Sequence, residues 1–315
     1  MKGLTDIPGI RVGHVSDYQA ITGCTAILCE QGAVGGVDIR GSATGTEETP
    51  VLDPGHVTPT VHGILLAGGS AFGLEAASGV RHYLERGGFG YDTGVAKVPL
   101  VPAAILYDLG IGKADVRPTA AMGEAAATAA TADAVKEGSV GAGTGATVGK
   151  ILGMRQAMKS GVGSFTVTLP GGVMVASLAV VNAFGDVRDP ATGKILAGAR
   201  KTVDSSEFLD TQEQMKRSSV GGFGVRNTTL VVVATNASLT KVQAGKLAQQ
   251  AGLGMARTIY PVNTMFDGDI VFALSLGNLR ADINTLGVAA AEAVAGAIVR
   301  AVMLARGLGG VPGLA

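Results

Sequence analysis

A chain of 315 residues with 25 basic and 25 acidic side chains carries no net charge, which excludes a strongly basic chain and gives no sign of a nucleic-acid or anionic-membrane partner. Only 16% of residues are charged and 47% are hydrophobic, with 49 glycines and no tryptophan. Such a balance suits thin layers whose backbones approach closely, and it leaves so little charge to cover a lone protomer that a homo-oligomer is expected.

The opening, MKGLTDIPGIRVGH, has no apolar signal-peptide core, so a cytoplasmic, reduced chain is expected. Cys24 and Cys29 bound a first strand, CTAILC. Their odd separation puts them on opposite faces, which argues against a disulfide or a shared metal. A second strand, HGILLAGG, leads through a Gly-Gly turn into a helical pattern over 70–85, with Ser70 as its N-cap. The same GGSAF misses the G-x-S-x-G nucleophile elbow, because Phe72 stands in place of the last glycine. Residues 119–137 are alanine-rich and read as a helix.

Residues 141–150, GAGTGATVGK, imitate a phosphate loop. Thr144 occupies the place of the first glycine, and Ile151 follows the lysine where a magnesium-binding hydroxyl should stand, so nucleotide binding is not expected. SFTVTL and GVMVASLAVVNAFG, joined at Pro170-Gly171-Gly172, predict an antiparallel hairpin. The polar stretch 207–226 is expected to be exposed, and its glycine-rich end, 218–226, would suit a cleavable junction. TLVVVATN and DIVFALSLG add two strands, and 239–253 and 284–306 add two helices. The last helix carries Glu292 and Arg300, so it reads as a buried or interface helix rather than a membrane span. Sheets inside and helices outside fit this alternation.

The four histidines, His14, His56, His62 and His82, show no metal-ligand spacing, and the two carboxylates of Asp267-Gly268-Asp269 are a weak cation signal, so no metal or cofactor is expected. Asn227-Thr228-Thr229 opens an apolar strand. Threonines at a strand start need no special explanation. The alternative is that Thr228 is a nucleophile. If the chain breaks before it, the new α-amine, with a pKa of about 7.7–8.0, lies beside its own hydroxyl and serves as base. The same hydroxyl could make the break, by attacking the Asn227 carbonyl from a strained, glycine-fed position.

Six segments, in order and spread over nearly the whole chain, together resemble one family: GLTDIPGIRVGH, GILLAGGSAFGLEAASGV, GAGTGATVGKILG, LAVVNAFGDV, NTTLVVVATNASLTK and DGDIVFALSLG. These are similar to the self-processing DmpA-type aminopeptidases, which include L-aminopeptidase/D-esterases, β-aminopeptidases and nylon-oligomer hydrolase. The resemblance implies an α/β fold, a four-layer αββα sandwich like that of N-terminal-nucleophile hydrolases, made by one domain of residues 1–315. It implies cleavage at Asn227–Thr228 into chains 1–227 and 228–315 that stay together, and assembly of the pairs into a tetramer. It also implies metal-free amide hydrolysis through an acyl-enzyme.

Residue by residue, Thr228 falls on the family nucleophile, as in the threonine branch. Lys150 matches a lysine beside it, which would favour the neutral amine. Asn182 matches an oxyanion donor, Asp267 and Asp269 match the acidic pair that orients the nucleophile, and Tyr107 matches a tyrosine lining the site. The substrates implied are small peptides, amino-acid amides or ω-amino-acid oligomers. No equivalent is placed here for the acidic residue with which some members grip a free amino group, so aminopeptidase and oligomer amidase both stay open. The rival reading is an oligomeric binding or scaffold protein of the same fold that never cleaves.

Overall fold

Along the strand 228–237, apolar residues of opposite parity belong to different cores. Leu230, Val232 and Ala234 join one buried cluster, whereas Val231, Val233 and Ala237 join another. A strand apolar on both faces must be covered on both, and this requirement shapes the molecule. The computed structural model describes residues 2–217 and 227–315; the glycine-rich segment 218–226 lies outside the described residues.

Eight strands matter here. They are β1 (Arg11–Asp17), β2 (Thr22–Ile39), β3 (Val61–Ala67), β4 (Ala103–Ile105), β5 (Val162–Thr168), β6 (Met174–Asn182), β7 (Thr228–Ala237) and β8 (Ile270–Leu279). The helices are α1 (Ala76–Arg86), α2 (Ala120–Thr128), α3 (Thr211–Arg217), α4 (Lys241–Thr258) and α5 (Ile283–Met303). The main sheet runs β5-β6-β7-β8-β2-β3-β4, continues to the short strand Thr46–Glu47, and has β1 paired to β2.

The long β2 belongs to both halves of this sheet. Residues 24–28 pair with β3, and residues 34–39 pair with β8, with a register shift between Leu28 and Ala33. The two halves therefore fold over each other. Between them lies a core of Ile27, Ile64, Leu66, Leu178, Val180, Leu230, Val232 and Phe272. Outside one half, α1 and α2 cover Cys24, Ala26, Leu28 and Leu65. Outside the other, α4 and α5 cover Val175, Val181, Val231, Val233 and Val271. Three cores separate four layers, and the chain is an αββα sandwich, as the resemblance implied. Cys24 and Cys29 fall in different cores, on opposite faces of β2, and both are free.

The β5–β6 hairpin forms as expected, pairing Thr168 with Met174 around Gly171 and Gly172, whose φ angles are 75° and 77°. By length and composition α5 could cross a membrane, but 67% of its apolar window is buried. It packs on β5, β6 and α4.

Three helix boundaries differ most from expectation. The 119–137 pattern ends at Thr128, because Thr131 leaves the helix to exchange backbone hydrogen bonds with Val12 of β1. Helix α4 runs on through Gly252 and Gly254 to Thr258. Ser70 caps nothing: its helix begins at Ala76 after a 3-10 turn, and Ser70 itself adopts a left-handed φ of 55°.

Candidate active site

Two strands bring the predicted residues together. In the antiparallel β6–β7 ladder Asn182 stands directly opposite Thr228, at the ends of both strands. Strand β8 is parallel to β7, so its start, preceded by Asp267 and Asp269, lies at the same end. Asn227 forms a parallel bridge with Asp267. At this edge of the sandwich polar side chains replace the apolar core, and Asn182, Asn227, Thr228, Asp267 and Asp269 are each at most 2% exposed.

The Asn227–Thr228 junction has a specific geometry. The Asn227 carbonyl oxygen accepts a hydrogen bond from the Gly268 backbone N–H at 2.7 Å and another from the Thr228 hydroxyl at 2.5 Å. Gly268 is crowded on its side-chain face: a Cβ there would lie 2.7 Å from the Ala43 carbonyl oxygen and 2.9 Å from Thr228 Oγ1. The loop carrying Ala43 is tied down in turn, with Ala43 N–H donating to the Asp267 carbonyl and Gly41 N–H to that of Asp269.

The two aspartates hold the backbone of the site. Asp269 accepts from Thr229 N–H at 2.6 Å and from Asn263 N–H at 2.9 Å. Asp267 accepts from Phe184 N–H at 3.2 Å and from the Thr264 hydroxyl at 2.5 Å. Neither carboxylate bonds Thr228 directly; both fix the segments on either side of it. Burial raises both carboxyl pKa values, and for Asp269 the neighbouring Asp267 charge adds to the effect.

Lys150 is 2% exposed and so is not a helix-start lysine on the surface. Its Nζ donates to Asn182 Oδ1 at 2.7 Å and to the Asn182 carbonyl at 3.0 Å. Burial lowers its pKa to about 7, opposed by the Asp267 charge. The Asn182 amide nitrogen donates to the Tyr107 carbonyl at 3.1 Å, and Asn182 Oδ1 also accepts from Thr147 N–H. This locks the amide orientation and, among the described residues, leaves its second N–H hydrogen uncommitted. The phosphate-loop mimic 141–150 is buried throughout, and Gly149, at φ 70°, lies so near Gly198 and Ala199 that a Cβ has no room. This loop serves to deliver Lys150.

Thr228 opens onto a cavity of about 340 Å³ between the two halves of the sandwich, lined by Ala43, Thr44, Gly45, Ser70, Ala71, Ile105, Tyr107 and Thr228. Its polar side chains are all neutral hydroxyls. Tyr107 also lines a second, 40 Å³ cavity with Asp108, Thr147 and Lys150. Among the described residues no group of three or more His, Cys, Asp or Glu could hold a metal ion.

Four participants were not anticipated: the Gly268 N–H, Ser70 as a cavity residue, and the buried residues Asp108 and Lys159. A backbone donor has no signature beyond the glycine between two aspartates. The buried lysine in MKSG reads as an ordinary surface residue.

Comparison with known proteins finds relatives over the whole chain. An uncharacterized aminopeptidase of Mycobacterium tuberculosis is 40% identical, over 99% of this chain and 96% of its own length. A 6-aminohexanoate-oligomer endohydrolase of Kocuria sp. is 32% identical, over 94% of this chain and 84% of its own. Among solved structures, the Burkholderia sp. beta-aminopeptidase superposes with a TM-score of 0.70 at 24% identity, covering 100% of this chain and 91% of that one. The L-aminopeptidase D-Ala-esterase/amidase of Ochrobactrum anthropi, a variant of the Ntn-hydrolase fold, gives 0.70 at 20% identity, covering 99% and 88%. The model of peptidase family S58 matches residues 2–314, and the chain belongs to that family of peptide- and amide-bond hydrolases.

Proposed function

We propose that this hydrolase is activated by its own cleavage at Asn227–Thr228 and then uses Thr228 as an N-terminal nucleophile. The observation that carries this reading is the doubly hydrogen-bonded Asn227 carbonyl, with the Thr228 hydroxyl against the group it would attack and the Gly268 N–H placed on the oxygen that becomes negative. In the first step Oγ1 adds to the Asn227 carbonyl carbon, and its proton passes to the departing Thr228 nitrogen. The resulting ester is hydrolysed by water, which yields the Asn227 carboxylate and restores the hydroxyl beside a free amine.

In turnover that amine takes the hydroxyl proton as Oγ1 attacks the substrate amide, then returns it to the leaving amine. Water releases the acyl group by the reverse roles. The uncommitted N–H of Asn182 stabilises the oxyanion; one such donor contributes roughly 3–4 kcal/mol. Lys150, with a pKa near neutrality, holds Asn182 and biases the neighbouring amine toward its neutral form. Asp267 and Asp269 fix the backbone around the nucleophile, and Tyr107 lines the acyl site.

The substrates that fit a short, neutral, hydroxyl-lined cavity are small peptides, amino-acid amides or ω-amino-acid oligomers. The names of the relatives, aminopeptidase and 6-aminohexanoate-oligomer endohydrolase, span the same range. Mass spectrometry of active protein is expected to find two fragments, the second beginning at Thr228. Thr228→Ala is expected to leave one intact chain without turnover on amino-acid p-nitroanilides, β-peptides and aminohexanoate oligomers. An active, uncut wild-type chain would defeat the proposal.

A further inference from the structure

Ser70 lines the same cavity as Thr228, on a turn that the chain holds at some cost. Gly69 and Ser70 are both left-handed, with φ of 81° and 55°. Glycine accepts this freely, whereas serine does not, and non-glycine residues in such conformations concentrate at functional sites. Two anchors impose the turn. Ser70 N–H donates to the Leu106 carbonyl at 3.0 Å, and Gly69 N–H donates to Asp108 Oδ1 at 2.7 Å. Among the described residues the Ser70 hydroxyl has no hydrogen-bond partner, so both its donor and its acceptor capacity are free for a molecule that enters the cavity.

Asp108 is 5% exposed and closely cradled. Its other oxygen accepts from the Thr22 hydroxyl at 2.7 Å. A Cβ on Gly68 would lie 2.1 Å from Asp108 Oδ2, and one on Gly145 would lie 2.5 Å from the Asp108 Cβ. Nearby, the fully buried Lys159 Nζ donates to the carbonyls of Ala146 and Ser160 at 2.5 and 3.0 Å, and when protonated it counters the Asp108 charge. Residues 105–108 thus serve two purposes: Ile105 and Tyr107 line the cavity, while Asp108 lies beneath the turn that presents Ser70.

We propose that Ser70 is a substrate-binding residue, its hydroxyl hydrogen-bonding the polar backbone of the acyl part of the amide substrate, and that Asp108 is the positioning residue that holds it there. This rests on the reading of Thr228 as nucleophile, since it is the shared cavity that makes Ser70 a substrate neighbour.

The test uses the mature enzyme and whichever substrate of the panel above the wild type turns over fastest. Ser70→Gly relaxes the turn without filling it and removes the hydroxymethyl side chain, the hydroxyl with its one carbon. It is expected to cleave at Asn227–Thr228 as the wild type does and to raise KM about five- to tenfold, the effect of one neutral hydrogen bond, with kcat within about twofold. Asp108→Ala is expected to raise KM in the same direction, and Asp108→Asn, which keeps an oxygen for Gly69 N–H, to restore it. The S70G/D108A double variant is expected to be no worse than the poorer single variant, because both remove one contact. An unchanged KM in S70G overturns the role of Ser70, and multiplicative effects in the double variant overturn the positioning role of Asp108. Residual activity in Thr228→Ala would instead strike the underlying reading, a separate result from either.

Discussion

At the scale of single residues, the site depends on where a side chain is missing. Gly268 supplies a backbone N–H to the Asn227 carbonyl while leaving room for the Thr228 hydroxyl. A methyl group at 268 would press on Thr228 Oγ1 and on the Ala43 carbonyl, the second of which is backbone and gives way only if its loop moves. Gly268→Ala should therefore slow formation of the two fragments roughly a hundredfold, as expected for a displacement of about 1 Å at reacting groups. A time course of cleavage after expression, read on a denaturing gel, checks this; normal processing would show that the close approach is unimportant. Thr228, Asn182, Lys150, Asp267 and Asp269 were all legible in the sequence, through resemblance for their identity and through strand-end position for two of them. Gly268 and Asp108 were not, because one offers only its backbone N–H and the other lies beneath a turn whose left-handed serine the sequence does not announce.

At the scale of elements, close backbone approach sets both the layering and the errors in reading it. Strand periodicity and the Pro-Gly-Gly turn were enough to find β5, β6, β7 and β8. The expected strand CTAILC stopped at Cys29, yet the chain continues extended through a glycine-rich part and passes from one half of the sheet to the other. The expected helix 239–253 likewise stopped short of Gly254. In fact Gly254 lets α4 cross α5 so tightly that a Cβ would lie 2.3 Å from the Ala291 carbonyl, and tertiary contact outweighs the weak helix propensity. The same spacing governs β5 against α5, where a Cβ on Gly163 would lie 2.0 Å from the Ala297 carbonyl and 2.4 Å from the Ala301 nitrogen. Gly163→Ala should destabilise the protein by about 1–3 kcal/mol through overpacking, visible as a lowered Tm in calorimetry, while active-site geometry more remote from α5 is spared. An unchanged Tm would mean that the helix layer slides freely over the sheet.

At the scale of the whole molecule, buried charge makes stability depend on pH. Burial lowers the Lys159 pKa from an ordinary 10.5 to about 7. Between those values the unfolded chain holds a proton that the folded chain does not, so this lysine's contribution to stability rises with pH from about 7 toward 10.5 and is lowest, and flat, below 7. Lys159→Met removes the titration and takes the lysine donor from the Ser160 carbonyl, while that of Ala146 keeps the Ser160 N–H, at a cost of about 1–3 kcal/mol. The Tm difference between wild type and variant should widen from pH 7 to 9.5; a constant difference would show that the amine is charged in the fold over that whole range.

The order of strands has one more consequence. Strands β7 and β8, both downstream of residue 227, lie between β6 and β2, both upstream of it, and hydrogen-bond to each. After scission at 227/228 the longer piece would have a gap two strands wide in the middle of its sheet, and the shorter piece would be the plug. Neither could leave without tearing a ladder on both flanks. The severed protein should migrate as a single hydrodynamic particle until denaturant dissolves it, and an affinity tag on either terminus should retrieve both pieces.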